Sequence, residues 1–234
     1  MIQQILYLNL DRRPDRNEWF LKNMEAAGVP MEIVERVPAK DWRDYSSVQD
    51  TLIRMNREDG FAQNFFASTP QFHRGTLEPD WRGRTAYAWT MSKVLKRIIE
   101  TCKLTLVLHD DCSIISWDDL MSALSSIENH LSVVQLSYDI HVNLRRNVIL
   151  PYNQIWNYGI QTFREDAIVY SFTGASRMLS LIQGTHEHVQ MVESMLLAHF
   201  NNLTTFHPVD RTRFIKTMEV YNPRDIFSDD MLTQ

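Results

Sequence analysis

Leu104-Thr105-Leu106-Val107-Leu108-His109-Asp110-Asp111 is an apolar run that breaks abruptly into two adjacent carboxylates. With Cys102-Lys103 before it and Cys112-Ser113 after, the run has the length and composition of a strand buried on both faces, the kind found in parallel sheets. The carboxylates then stand at its carboxyl end. Open α/β sheets take ligands at that edge, and a pair of Asp side chains there is placed to hold a divalent cation against phosphate oxygens. The competing reading is that Asp110 and Asp111 simply open a surface turn, a position that suits Asp. Metal-dependent nucleotide chemistry and a solvated turn make different demands on the rest of the chain.

Composition sets the frame. The chain has 234 residues, 44% hydrophobic and 23% charged, which suits one globular domain with a substantial core. A net charge of -5 gives no general attraction for nucleic acid, so a polyanion is the less favoured partner, although a local basic groove is compatible with it. Cys102 and Cys112 flank the apolar run, and about ten residues of extended chain hold them too far apart to bridge, so both are expected as thiols. Met1-Ile2-Gln3-Gln4 lacks the basic, then apolar, pattern of a signal peptide, and no run approaches the roughly 20 apolar residues of a membrane span. A soluble, cytoplasmic protein is the expectation.

Working outward, Ile5-Leu6-Tyr7-Leu8-Asn9-Leu10 is a second apolar strand, followed by the charged turn Asp11-Arg12-Arg13-Pro14-Asp15-Arg16. Phe20, Met24 and Ala27 recur at helical spacing, which predicts a helix from about Asp15, with Asp15 as a possible N-cap, to Ala27; Gly28 and Pro30 stop it. Residues 32–37 complete a βαβ opening and imply a parallel sheet. A helix is expected near 47–57. Residues 60–82 hold Pro70, Gly75 and Pro79 but no sustained period, and read as a long loop of the kind that forms lids, with disorder the alternative. Ala88, Met91, Leu95 and Ile98 mark a helix over 85–101 that feeds the strand ending at Asp110. Ser116 to Asp119 form a capping box for a helix through 128. Strands follow at 133–138, 154–163 and 167–172, then helices at 174–182 and from Thr185 to 199. The stretch from 201 to 234 reads as irregular. Residues 1–234 therefore form a single α/β domain without internal repeats.

Several of these segments, in order, resemble glycosyltransferase family 25, which includes lipopolysaccharide and collagen galactosyltransferases. Tyr7 to Arg16 looks like the family's N-terminal signature. Arg82-Gly83 through Ala88 and Ser92-Lys93-Val94 resemble its Gly-rich helix start and Ser-His pair, with Lys93 in place of His. Leu106 to Asp111 resembles its strand ending in Glu-Asp-Asp, with His109 in place of the acid, and Tyr170 to Leu179 resembles a later strand-to-helix turn of small residues. The resemblance spans residues 5 to 180. It implies a glycosyltransferase A-type (Rossmann-like) fold with a mostly parallel central sheet, and a nucleotide-sugar donor of the UDP type.

Breaking a sugar–phosphate bond leaves charge on a diphosphate, which Mn²⁺ or Mg²⁺ neutralises as a Lewis acid held by one or two carboxylates and the phosphates. Asp111 and Asp110 are the candidate metal ligands, and the resemblance points to His207 as a late ligand, a surface His being the alternative. It also places the nucleotide near Asp11, Arg13 and Arg16. Arg supplies a fork of donors to phosphate, and Asn9 or Asp11 can bond base or ribose. Lys93 either reaches phosphate or is an exposed helix lysine. His109 either contacts the nucleotide or is inert. An inverting reaction, which the resemblance suggests, needs a carboxylate to take the acceptor's proton; Asp139, Glu187 and Glu193 are the candidates. Trp81, Trp89, Trp156 and Tyr158 either stack on a sugar or fill the core.

The expected function is transfer of a sugar from a nucleotide-sugar donor to a saccharide or glycoconjugate hydroxyl. The same chemistry directed at hydroxymethylated DNA bases is an alternative, for which Arg12, Arg13, Arg16, Arg82 and Arg84 could supply a groove. A noncatalytic nucleotide-sugar-binding module, suggested by His109 and Lys93, is another.

Overall fold

The computed structural model describes residues 1–59, 78–128, 131–137, 149–159, 166–184, 205–210 and 212–218. Strand β1 (Gln4–Asn9), helix α1 (Pro14–Ala26) and strand β2 (Val34–Pro38) form the expected βαβ opening, with β1 and β2 parallel and Asn9 opposite Pro38. Pro14 starts α1, where a missing N–H costs no helical bond. Beyond its end Gly28 has φ +78°, a conformation that favours glycine and terminates the helix. Asp15 does not cap the helix: the N-cap is Arg13, whose guanidinium bonds the Asp15 carboxylate at 2.9 and 2.7 Å.

Helices α2 (Val48–Asp59) and α3 (Glu78–Thr101) lead into β3 (Thr105–His109), followed by β4 (Cys112–Ile114) and α4 (Trp117–Ser125). Ser116 accepts from the Asp119 N–H as the sequence predicts, but the Asp119 carboxylate turns instead to Arg213. Then come β5 (Val133–Gln135), β6 (Ile149–Pro151), β7 (Trp156–Gly159), β8 (Ala167–Tyr170), α5 (Phe172–Gly184), β9 (Thr205–Pro208) and β10 (Ile215–Thr217).

The sheet runs β2-β1-β3-β8-β5-β9-β7-β6, while β4 and β10 form a separate antiparallel pair. Its ladders show that β8 and β7 run against the other six strands, so a sheet with most strands in one direction is mixed at every contact β8 and β7 make. Side chains of β1 alternate between two cores. Leu6 and Leu8 pack with α2, α3 and α5, whereas Ile5 and Tyr7 pack with α1 and α4 and with Phe214 beside β10. A strand covered on both faces must be apolar throughout. The α3 stripe of Ala88, Met91, Leu95 and Ile98 is buried as expected, and so is Trp89.

Three expectations change. Helix α3 starts at Glu78, not 85, because Pro79 sits in its first turn, where a proline costs no helical bond. The expected loop thus loses residues 78–82, and its remainder, 60–77, lies outside the described residues. The stretch from 201, expected to be irregular, contributes β9 and β10. Strands β4 and β6 stand where none was expected, since three residues are too few to show a period. Both cysteines are free thiols.

Candidate active site

Parallel pairing brings the carboxyl ends of β1 and β3 side by side, Leu8 opposite His109, and the Asp110 N–H donates to the Leu8 carbonyl at 3.1 Å. Asn9, the last residue of β1, therefore meets Asp110 just beyond β3. Its Nδ2 donates to Asp110 Oδ2 at 2.7 Å and to the Arg13 carbonyl at 3.0 Å, fastening the β1–α1 turn to the carboxylate. From the first turn of α1, Arg16 Nη1 reaches Asp110 Oδ1 at 3.3 Å and Asp111 Oδ2 at 3.4 Å. Two segments that the sequence reads separately, the Asp pair and the basic turn after the first strand, are thus one site at the carboxyl edge of the sheet.

Asp110 is 6% exposed and Asp111 9%. Burial pushes the Asp110 carboxyl above its ordinary value; the Asn9 hydrogen bond and the Arg16 charge pull it down, and the Asp111 charge raises it again. A buried carboxylate held partly against its charged form gains from any cation that reaches it. Cys112 Sγ lies 3.6 Å from Asp111 Oδ1, and the Asp111 carbonyl accepts from the Met218 N–H at 2.8 Å, so the segment after β10 closes on the pair from behind.

The other expected residues fall around this centre unevenly. Asp11 is held by Arg36, and Arg13 by Asp15. His109 turns the opposite way from Asp110, toward α3: its Nε2 is 3.2 Å from the Tyr87 hydroxyl, and its Nδ1 3.7 Å from Asp166. Lys93 shares Glu58 with Lys40, at 3.7 and 2.9 Å, both ammonium groups lying over the Trp89 ring. His207 is not with the Asp pair. It is 1% exposed in β9, and β8 and β5 intervene between β9 and β3, a separation of about 14 Å at ordinary strand spacing. Trp89 and Trp156 are core residues, while Tyr158 is exposed. Asp139, Glu187 and Glu193, the candidates for a proton acceptor, lie outside the described residues.

Arg36 is not among the residues that the sequence pattern points to. It sits on β2 opposite Tyr7, and its Nε donates to Asn9 Oδ1 at 2.8 Å. Its one signal is a cation in a strand that packs beside an apolar one.

Among the described residues no group of three or more His, Cys, Asp and Glu side chains converges to hold a metal ion. Two adjacent carboxylates nevertheless fit Mg²⁺ or Mn²⁺, which is bound by one or two protein carboxylates with phosphates and waters completing the shell. Among the same residues, no helix is long and apolar enough to cross a membrane. No family model matches the chain, and no curated protein matches it, so the geometry of Asn9, Arg16, Asp110 and Asp111 carries the functional argument.

Proposed function

We propose that this chain is a glycosyltransferase of the A-type fold that moves a sugar from a nucleotide-sugar donor, UDP-linked, to a hydroxyl of a saccharide or glycoconjugate. The observation that supports it is the convergence of Asp110, Asp111 and Arg16 at the carboxyl edge of the central sheet. That edge is where α/β sheets take their ligands. A bound Mn²⁺ or Mg²⁺ would offset the charge left on the departing diphosphate. Asp110 and Asp111 hold the cation, and Arg16, already paired with both carboxylates, is within the same small region to bind a diphosphate oxygen. Asn9 holds the turn that carries Arg13 and Arg16 against Asp110.

The test is release of nucleoside diphosphate from a panel of nucleotide sugars with Mn²⁺ present. Activity should fall at least a hundredfold in Asp110→Ala and Asp111→Ala, each checked for folding by circular dichroism. Full activity in both variants refutes the reading. Donor binding by calorimetry, with no turnover over a broad acceptor panel, replaces it with a nucleotide-sugar-binding module.

A further inference from the structure

A primary carboxamide has one end that accepts and one that donates, and the two ends of Asn9 are claimed by opposite partners. Arg36 offers only donors: Nε reaches Asn9 Oδ1 at 2.8 Å, and Nη2 reaches the Asn9 carbonyl at 3.4 Å and Asp11 Oδ1 at 2.5 Å. An ionised Asp110 offers only acceptors, and Nδ2 meets it at 2.7 Å while also serving the Arg13 carbonyl. Turning the carboxamide over would set its NH₂ group against the guanidinium and its oxygen against the carboxylate. Asn9 is 2% exposed, so water is poorly placed to rescue the reversed orientation.

We propose that Arg36 is a positioning residue: it fixes the Asn9 carboxamide and through it aims the Asp110 carboxylate at a divalent cation. Arg36 itself contacts neither Asp110 nor Asp111 among the hydrogen bonds and ion pairs described. The inference rests on the metal-holding role of the Asp pair proposed above. Charge alone and positioning predict opposite signs. As a bare cation near the site, Arg36 repels a metal ion and its removal tightens binding; as the group that orients Asn9, its removal weakens binding. Asn9 stands one step behind the Asp pair, where loss of a partner typically changes affinity 10–100-fold, and Arg36, a step further back, acts through it at the low end of that range.

Calorimetric titration of Mn²⁺ into the full chain, without nucleotide, separates the two. Arg36→Met should bind Mn²⁺ about tenfold more weakly, and Arg36→Lys, which keeps a donor for Asn9 Oδ1, should recover most of the loss. Arg97→Met is the control. Arg97 pairs with Glu35, the residue before Arg36 in β2, so this variant removes an equal charge nearby without touching Asn9, and its affinity should stay within about twofold of wild type. Unchanged or tighter Mn²⁺ binding by folded Arg36→Met overturns the proposal. Should Arg36→Met fail to fold, Arg36→Gln takes its place, and the same weakening is expected. If the wild-type chain binds no Mn²⁺, the metal role of the Asp pair fails. A crystal structure of Arg36→Met then judges the orienting role: Asn9 Nδ2 turned away from Asp110 supports it, and an unmoved carboxamide overturns it.

Discussion

Arg16 Nη1 lies 3.3 Å from Asp110 Oδ1, and the same nitrogen serves Asp111 at 3.4 Å. One guanidinium thus does for the two carboxylates part of what a dication would do, and would compete with one under the proposed metal role. Arg16→Met should bind Mn²⁺ several-fold more tightly in the absence of nucleotide. Its affinity for nucleoside diphosphate with Mn²⁺ should fall about tenfold, the loss expected for one charge-assisted hydrogen bond. Calorimetry with each ligand checks both signs. A fall in the Mn²⁺ affinity measured alone would show that Arg16 does not compete for the pair.

Asp110 makes the site costly to keep at neutral pH. Its carboxyl is raised by burial, so the native state holds the proton more tightly than the unfolded chain. The stability it contributes is complete below the ordinary carboxyl range near 4 and is lost as pH rises through the folded value. Asp110→Asn removes that loss. At pH 7 the variant should melt above wild type, because it carries no ionised carboxyl to bury. The advantage should shrink steadily as pH is lowered toward 4, as thermal scans across that range would show.

Gly174 is packed against backbone. A Cβ there would lie 2.1 Å from the Ser132 carbonyl oxygen and 2.9 Å from its carbon, and a main-chain carbonyl cannot swing aside as a flexible side chain does. Gly174→Ala should therefore destabilise by about 3 kcal/mol and lower Tm by roughly 6–12 °C. Denaturant unfolding would measure it. The Asp pair lies at the opposite edge of the sheet from Ser132, so Mn²⁺ affinity of the folded fraction should be unchanged.

Cys102 ends α3 with φ +54°, the left-handed region that disfavours side chains. Glycine adopts it freely, and the Cys102 N–H bond to the Ile98 carbonyl survives the change. Cys102→Gly should raise stability by about 0.5–1 kcal/mol, part of the strain relief being offset by a more flexible unfolded chain. An unchanged or lower Tm would show that the strain is already relieved by the thiol contact with the Ile99 carbonyl.

The features legible in the sequence share a physical cause. β1 and β3 are continuous apolar runs because both of their faces are covered, and α1 is bracketed by Pro14, whose ring fixes φ at a helical value, and by Gly28, which takes a positive φ that side chains disfavour. The place of the two carboxylates at the sheet edge follows from where the apolar run of β3 ends. What stayed hidden depends on pairing rather than on pattern. A strand buried on both faces reads the same in either direction, so the reversal of β8 between β3 and β5 leaves no trace in Ala167 to Tyr170. His207 looked like a late ligand because nothing in His207-Pro208 reveals that β9 lies three strands from β3. Arg36 and Asn9 are 27 residues apart and meet only because β1 and β2 are neighbours.

The position of β9 also dictates an order of assembly. Chain synthesis delivers β1, β2 and β3 first, and they can pair with one another as soon as residue 109 has emerged. The β6–β7 hairpin is made long before β9, yet in the described structure β7 joins the sheet through β9 alone. Until residue 208 has left the ribosome, β5 and β7 each expose an unsatisfied edge, the hazard that late, long-range strand pairing brings to a folding chain. The turn holding Asp110 and Asp111 waits longer still, for the Met218 N–H that closes on it. A nascent chain halted before that residue would carry its Asp pair without the hydrogen bond that ties the Asp111 carbonyl to the segment after β10.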